Sequence, residues 1–346
     1  MKDLLIVGFG LAGLSVAKHA KDMNLSFDII TNHSQKSSRI AGGIINPVAV
    51  KRMKPVWQIE RFLDYAKFFY KDLKKDLKTS IYKDISLQVF IHNIEQENNW
   101  FEACDNPRLQ AFLNPKLKVV SDSPLKAHKF GLIKAGLVHL TELFSASEQY
   151  FKSHDMLSFD RFQYNKIKIV NDSVQYKNQT YKYIIFCDGF GVTQNPYFNN
   201  LGIYGNKGDY LIIKSEKLQQ KHVCKAKYFL IPLGDDLYKF GATYQRRLLN
   251  HSPSNEAKSQ MIKALENMIN VPYKIVGQVC GIRPTTKDRK PILGSHHTYK
   301  NLYTLNGFGS RGVTTSPKLG KDLLDHIIQA KPIDPEVSIQ RIYAQT

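Results

Sequence analysis

The chain has 346 residues, of which 42% are apolar, enough for at least one large core. This length is more than a single core usually needs, so two domains are the first expectation. It lacks a run of about 18 apolar residues, so no membrane span is expected. Lys and Arg total 49 against 30 Asp and Glu, and the resulting formal charge of +19 would attract anionic ligands, acidic surfaces or RNA. The lysines are spread along the whole chain, so charge alone identifies no partner.

The start of the chain predicts a βαβ unit. Residues 4–7 form a short apolar run typical of a buried parallel strand. A glycine turn at residues 8–13 follows, then an Ala- and Leu-rich helical stretch to Asp22 and a second strand at residues 27–31. Lys2 and the apolar run resemble a signal peptide, but three glycines interrupt that run. We therefore expect a cytoplasmic protein.

The glycine turn has the spacing GxGxxG. Gly8 allows the tight turn, Gly10 lets the backbone approach a pyrophosphate, and Gly13 permits close packing of the helix on the strand. The free N–H groups of the helix N-terminus then face the phosphates. This motif, between a strand and a helix, predicts dinucleotide binding.

One part of the dinucleotide fingerprint is missing. The acidic residue expected at the end of the second strand, for the ribose hydroxyls, is replaced by Thr31, and Asn32 follows it. Either side chain can form a hydrogen bond with a ribose, but a weaker one than a carboxylate forms.

A long middle section, at about residues 53–121, shows no further βαβ rhythm. Periodicity predicts helices at residues 57–77 and 255–269, and a strand or turn followed by an amphipathic helix at residues 130–151. Short apolar runs predict strands at residues 87–92, 167–170, 173–176, 183–187, 210–213, 228–232 and 237–243. No linker separates two halves, which favours one domain interrupted by another.

Two further segments are rich in small residues. Residues 37–47 contain Ala41, Gly42 and Gly43, which suit a backbone lying against a flat ring, although an ordinary loop has the same composition. Near the C-terminus, residues 306–317 form a glycine-rich loop. Ser316 is a good N-cap and Pro317 a good first helical residue, so a helix is predicted to begin there and to offer an anion site.

With these motifs the chain resembles the D-amino-acid oxidase superfamily of FAD enzymes, nearest in style to glycine oxidase and monomeric sarcosine oxidase. The resemblance spans nearly the whole chain. Five segments carry it: residues 8–13, 184–189, 229–243, 281–294 and 307–317.

The resemblance implies an α/β fold with a discontinuous, Rossmann-like FAD-binding domain and an α+β substrate domain on a large mixed β-sheet. The implied FAD domain comprises residues 1–52, 122–200 and 276–346. The substrate domain comprises residues 53–121 and 201–275.

The resemblance also implies the cofactor site. FAD is expected to be non-covalent, because Cys280 lies one residue away from the place where sarcosine oxidase attaches its flavin. The four cysteines show no metal-ligand spacing, and no metal site is predicted. The expected FAD contacts are Gly8, Gly10, Ala12, Gly13, Thr31, Asn32, Ala41, Gly42, Gly43, Gly189, Gly309, Ser310, Arg311, Gly312, Val313 and Thr314.

Three cations are candidate catalytic residues. Arg283, in the sequence Gly-Ile-Arg-Pro, matches the family's arginine that binds the substrate carboxylate, and a guanidinium can hold a carboxylate through two hydrogen bonds. Arg311 is a second candidate for that role. Lys239 matches the lysine above the flavin that promotes reaction with oxygen in sarcosine oxidases, although strand lysines more often face solvent.

The implied activity is oxidation of the C–N bond of a small, carboxylate-bearing amine or amino acid, with oxygen as one candidate acceptor. One alternative is the oxidase half of the bifunctional tRNA wobble-uridine enzyme, which acts on a carboxymethylaminomethyl group and would use the basic surface. Another alternative is a flavin electron-transfer protein without small-molecule turnover.

Overall fold

The computed structural model describes residues 1–121, 123–170 and 172–344. The strands are β1 Lys2–Val7, β2 Phe27–Thr31, β3 Ile44–Ile45, β4 Val48–Ala49, β5 Lys54–Pro55, β6 Tyr82–Ile91, β7 Lys118–Val119, β8 Lys129–Val138, β9 Leu157–Phe159, β10 Ile167–Val170, β11 Ser173–Tyr176, β12 Gln179–Phe186, β13 Tyr204–Lys214, β14 Cys224–Lys225, β15 Phe229–Gly234, β16 Leu237–Gly241, β17 Lys274–Thr285, β18 Ile292–Ser295 and β19 Leu302–Asn306. The α-helices are α1 Leu11–Asp22, α2 Ser37–Ile40, α3 Ile59–Asp72, α4 Lys74–Leu77, α5 Ile94–Cys104, α6 Leu140–Ser153, α7 Asn255–Glu266, α8 Gly312–Gln329 and α9 Gln340–Tyr343. Two 3₁₀ helices span Tyr164–Lys166 and Gly189–Gln194.

The first sheet has a parallel centre in the order β9, β2, β1, β12, β19. β11 pairs antiparallel with the first half of β12, and β18 pairs antiparallel with β19. β1 contains three completely buried residues, Leu4, Leu5 and Ile6. Such burial is typical of a parallel sheet, because both of its faces are covered. The predicted βαβ unit is confirmed as β1, α1 and β2.

The second sheet has nine strands, and it confirms the predicted large mixed sheet. Its order is β17, β13, β16, β15, β14, β6, β8, β3, with β7 paired to β8. β14 and β6 are parallel, and the other neighbours are antiparallel.

The predicted domain ranges cut across these sheets. β3, β8 and most of β17 lie in the ranges given to the FAD domain, yet they pair in the nine-stranded sheet. Such pairing depends on distant partners, which the local pattern did not reveal. The domain limits stay a prediction, and residues 122 and 346, which begin one range and end another, lie outside the described residues.

The predicted start of the last long helix is wrong. α8 begins at Gly312, so Pro317 lies inside the helix and Ser316 does not cap it. Proline has no N–H to donate to the carbonyl of Val313, one turn earlier. The hydroxyl of Tyr70, on α3, donates to that carbonyl instead, at 2.8 Å.

Helices α1, α3 and α8 pack together on the first sheet. α1 and α8 approach closely because Gly320 has no side chain: a Cβ there would lie 2.2 Å from the hydroxyl oxygen of Ser15. That hydroxyl donates to the carbonyl of Ser316 at 2.7 Å. In the part of the chain that the structure describes, no helix is both long and apolar enough to cross a membrane.

Candidate active site

A cleft of about 1380 Å³ lies between the two sheets. Ordinary small-ligand pockets are roughly 300–1000 Å³, so this cleft has room for a dinucleotide and a second molecule. Its lining combines residues after the carboxyl ends of β1, β2, β12 and β19 with residues of the nine-stranded sheet. Ligands of open α/β sheets bind at the carboxyl ends of parallel strands.

The glycine turn forms one end of the cleft. Gly8 has a φ of +98°, and a Cβ there would lie 2.4 Å from the carbonyl oxygen of Cys187. A Cβ on Gly13 would lie 2.0 Å from the carbonyl oxygen of Gly8, so Gly13 supports the turn from behind and does not line the cleft. Gly10 is the N-cap of α1, and both Gly10 and Ala12, in the first turn, line the cleft. This arrangement fits a pyrophosphate.

The predicted ribose end also lines the cleft. Thr31 is buried and Asn32 is exposed at the carboxyl end of β2. The carboxamide oxygen of Asn32 accepts a hydrogen bond from the backbone N–H of Ser34 at 3.1 Å. The side-chain NH2 group of Asn32 can still donate to a ligand.

Asp188 is a cleft residue that the sequence analysis missed. Its carboxylate accepts hydrogen bonds from the side chains of Asn195 at 2.9 Å and Asn306 at 3.0 Å. Burial raises the pKa of Asp188 to about 6, against the effect of these hydrogen bonds. Asn306 also donates to the carbonyl of Gly189 and thereby joins the ends of β12 and β19 at the cleft. A polar residue after a buried parallel strand was the available signal.

The second glycine-rich loop and the N-terminus of α8 form another wall. Gly309, Ser310, Arg311, Gly312, Val313 and Thr314 all line the cleft. Gly309 has a φ of +54°. Arg311 precedes the first turn of α8, and burial lowers the pKa of its guanidinium, with Arg289 adding a like charge. The positive helix end and this cation both suit an electron-rich ring edge.

The loop of Ala41, Gly42 and Gly43 lies against the nine-stranded sheet. A Cβ on Gly42 would lie 2.8 Å from Ile231 and 3.4 Å from the Tyr210 hydroxyl, and one on Gly43 would lie 2.0 Å from the carbonyl oxygen of Val138. All three loop residues line the cleft, so the structure brings them together with the glycine turn and the start of α8.

Arg283 extends across the nine-stranded sheet into the cleft. Its guanidinium lies over Gly208, where a Cβ would come within 2.1 Å of Nη2. Its Nη1 donates at 3.3 Å to the side-chain oxygen of Asn206 and to the carbonyl of Thr243. Burial raises the pKa of Tyr210, while the charge of Arg283 opposes that rise.

Gly208 and Tyr210 were missed by the sequence analysis. A glycine inside a strand often marks a close approach by another group, and this was the available signal for Gly208. Within the described residues Arg283 forms no ion pair with an acidic side chain. Its donors beyond those directed at Asn206, Thr243 and Tyr210 are available to a ligand.

Lys239 does not line the cleft. Its ammonium donates to the carbonyls of Ile40 at 3.1 Å and Ala41 at 3.4 Å, and it lies 5.3 Å from the centre of the Tyr210 ring. Burial lowers its pKa to about 8. The lysine therefore supports the loop at residues 41–43 from behind.

The charges of the cleft are unevenly distributed. Among the described residues, the acidic ones in the lining are Asp160 and Asp188, which follow β9 and β12 of the first sheet. The described part of the nine-stranded sheet and its turns contributes Lys225, Lys227 and Arg283 to the lining and no acidic residue. This wall is suited to an anion.

The four cysteines form no disulfide with one another among the described residues. All four are free, and burial raises the pKa of the Cys280 thiol. Cys280 lies outside the lining of the cleft, whereas its neighbour Gly281 belongs to it. Among the described residues, no group of three or more His, Cys, Asp and Glu could hold a metal ion.

The turn, the cleft and the two sheets define a flavin-dependent oxidoreductase. The chain belongs to the FAD-dependent oxidoreductase (DAO) family, whose model matches residues 3–326. Its cofactor is FAD, and the glycine turn and the volume of the cleft fit that dinucleotide.

Solved structures share this fold. Glycine oxidase from Geobacillus kaustophilus superposes with a TM-score of 0.77 at 16% identity, over 96% of this chain and 95% of that one. Iminodiacetate oxidase from Chelativorans sp. BNC1 superposes with a TM-score of 0.76 at 17% identity, over 98% of both chains. At these identities the similarity shows the fold alone.

A curated relative is the bifunctional protein of tRNA 5-methylaminomethyl-2-thiouridine biosynthesis from Campylobacter jejuni subsp. doylei. It is 22% identical, and the match covers 91% of this chain and 53% of the relative. The chain thus spans about half the length of the curated relatives that it matches over most of its own length.

Proposed function

We propose that this protein oxidises the C–N bond of a small amine or amino acid that carries a carboxylate. The observation that carries the proposal is Arg283, a cation that reaches into the cleft over Gly208 and forms no ion pair within the described chain. A guanidinium in this setting binds a carboxylate through two parallel hydrogen bonds.

When bound, FAD would supply the redox chemistry as the acceptor of a hydride from the carbon beside the nitrogen; the nitrogen would lose a proton, and water would hydrolyse the resulting imine. The chain's own residues bind and orient the substrate. Arg283 fixes the carboxylate, and the ring of Tyr210 provides a flat surface beside the loop at residues 41–43. This arrangement requires no side-chain base.

Anaerobic mixing of the holoenzyme with paired amines tests the proposal. Glycine, N-methylglycine and proline are compared with methylamine, dimethylamine and pyrrolidine, which lack the carboxylate. We expect bleaching of the flavin by at least one carboxylated amine and none by its partner. A flavin that no amine and no modified tRNA reduces would leave only the electron-transfer alternative.

The electron acceptor is tested by the products. If oxygen reoxidises the reduced flavin, one hydrogen peroxide forms for each amine consumed, and an oxidase is established. Bleaching without peroxide on admission of air indicates a dehydrogenase with another acceptor. The influence of Lys239 on the oxygen reaction stays a proposal: its ammonium, held by the carbonyls of Ile40 and Ala41 behind the loop, would stabilise developing superoxide electrostatically.

A second candidate is the same chemistry on a carboxymethylaminomethyl group of a tRNA wobble uridine. The net charge of +19 favours it, as do the exposed residues Lys227, Tyr244 and His251 in the cleft lining. Such basic and aromatic side chains bind phosphates and stack on bases.

Titration with tRNA at two salt concentrations distinguishes the candidates. The tRNA candidate predicts an affinity that falls steeply as salt rises and flavin reduction by tRNA bearing the group. Reduction by free amines alone, with no binding of tRNA at physiological salt, would eliminate it.

A further inference from the structure

A row of residues crosses the cleft face of the nine-stranded sheet. Tyr210 of β13 pairs with Gly241 of β16, Gly241 with Phe229 of β15, and Phe229 with Lys225 of β14. Residues directly opposite one another place their side chains on the same face. Tyr210, Gly241, Phe229 and Lys225 all line the cleft accordingly.

Lys225 ends this row as a cation without an acidic partner in the described structure. Its ammonium lies 4.9 Å from the centre of the Phe229 ring. It donates to the carbonyls of Ala226 at 2.9 Å and Lys227 at 2.7 Å, and an ammonium has a third proton to donate. Burial lowers its pKa to about 8.

The row gives an estimate of the distance between Lys225 and Arg283. Three strand spacings separate the backbones of Lys225 and Tyr210, about 14 Å, and the Arg283 guanidinium lies over Gly208, about 7 Å further along β13. The ammonium of Lys225 lies at the carbonyls of Ala226 and Lys227, so on the order of 10 Å separates the two cations. After one hydrogen bond from each cation, a gap of several ångströms remains between the bound oxygens.

We propose that the substrate carries a second carboxylate, that Arg283 binds one carboxylate and Lys225 the other, and that the amine lies between them over Tyr210 and Phe229. The spacing suits an amine flanked by two short carboxylate arms. This inference rests on the proposed function and narrows its substrate class to dicarboxylic amines.

The binding of two ethers tests this inference without requiring turnover. Oxydiacetate and methoxyacetate match iminodiacetate and N-methylglycine but have oxygen in place of nitrogen, so they cannot form an imine. Calorimetric titration of the wild-type holoenzyme is expected to give an affinity for oxydiacetate about 10-fold or more above that for methoxyacetate. Lys225→Met is expected to abolish the difference, and Lys225→Arg to retain much of it.

Lys221→Met is the matched control. Lys221 is exposed, precedes β14 and lies outside the cleft lining, so its replacement removes one positive charge from the same region without removing the contact. Equal losses in Lys221→Met and Lys225→Met would overturn the proposal, because only the general charge would then matter. FAD content and thermal midpoint show whether Lys225→Met is folded, and Lys225→Gln replaces it if it is not.

Anaerobic flavin reduction provides the second measurement. Lys225→Met is expected to weaken the apparent binding of iminodiacetate about 10-fold and to change that of N-methylglycine by less than about 2-fold. Equal binding of the two ethers by the wild type would overturn the second carboxylate. If neither amine reduces the flavin while the ether preference and its loss in Lys225→Met are observed, the proposed function fails and the two-anion site stands.

Discussion

At the scale of single residues, Gly208 and Arg283 act as a pair. The guanidinium occupies the space that a side chain at position 208 would fill, so the glycine fixes the height of the cation above the sheet. Arg283 could be predicted because it belongs to a local motif. Gly208, Tyr210 and Lys225 could not, because their positions depend on the register of β13 to β17, which pairs residues far apart in sequence.

Gly208→Ala is expected to displace Arg283 without unfolding the protein, because the colliding atoms belong to the end of a flexible side chain. The apparent dissociation constant of a carboxylated amine should rise about 10-fold, with FAD content unchanged. The control is Gly277→Ala on β17, where a Cβ would meet Ile212 at an ordinary 3.7 Å. Unchanged substrate binding in Gly208→Ala would refute the positioning role.

His19 links stability to pH. It is buried in α1, its Nε2 lies 2.8 Å from the carbonyl oxygen of Pro317, and burial lowers its pKa to about 4 from an ordinary 6.5. Between these pH values the unfolded chain holds the extra proton, so the free energy of unfolding contributed by His19 falls as pH falls from 6.5 towards 4.

The expected slope from His19 is at most about 1.4 kcal/mol per pH unit. Denaturant unfolding at pH 7 and pH 5 should show a smaller loss of stability in His19→Gln than in the wild type. The pKa of Asp188 is raised to about 6, so Asp188 changes the free energy of unfolding in the opposite direction. Because both proteins contain Asp188, its contribution cancels in the comparison. Identical pH dependence in the two proteins would contradict the account.

At the scale of elements, α8 shows where local signals fail. Ser-Pro is a frequent start of a helix, and the sequence therefore predicted a start at Ser316 and Pro317. The helix begins earlier because Tyr70, brought by α3, satisfies the carbonyl that Pro317 leaves without a donor. By contrast β1, the glycine turn and α1 were predictable, because strand, turn and helix signals there are contiguous.

Tyr70→Phe is expected to destabilise the protein by about 1–3 kcal/mol, because a buried carbonyl loses its donor. In a Pro317→Ala background the restored amide of residue 317 can donate to Val313, so the same substitution should cost less. Denaturant unfolding of the four proteins of this double-mutant cycle measures the difference. A cost that is the same in both backgrounds would show that the hydroxyl does not compensate for the proline.

At the scale of the whole molecule, the cleft exists because two sheets meet. One sheet brings the strand ends and helix N-termini that suit the phosphates of FAD, and the other brings a wall with Arg283 and Lys225. The overall architecture was predictable from the resemblance of scattered motifs. The pairing of β3, β8 and β17 in the second sheet was not, since it joins residues far apart in the sequence.

The central claim is that Arg283 binds a substrate carboxylate beside a flavin that the rest of the cleft holds. The most direct test compares anaerobic flavin reduction by a carboxylated amine in the wild type and in Arg283→Ala, with FAD content measured in both. We expect Arg283→Ala to retain FAD and to lose reduction by carboxylated amines. Wild-type reduction in that variant would contradict the account.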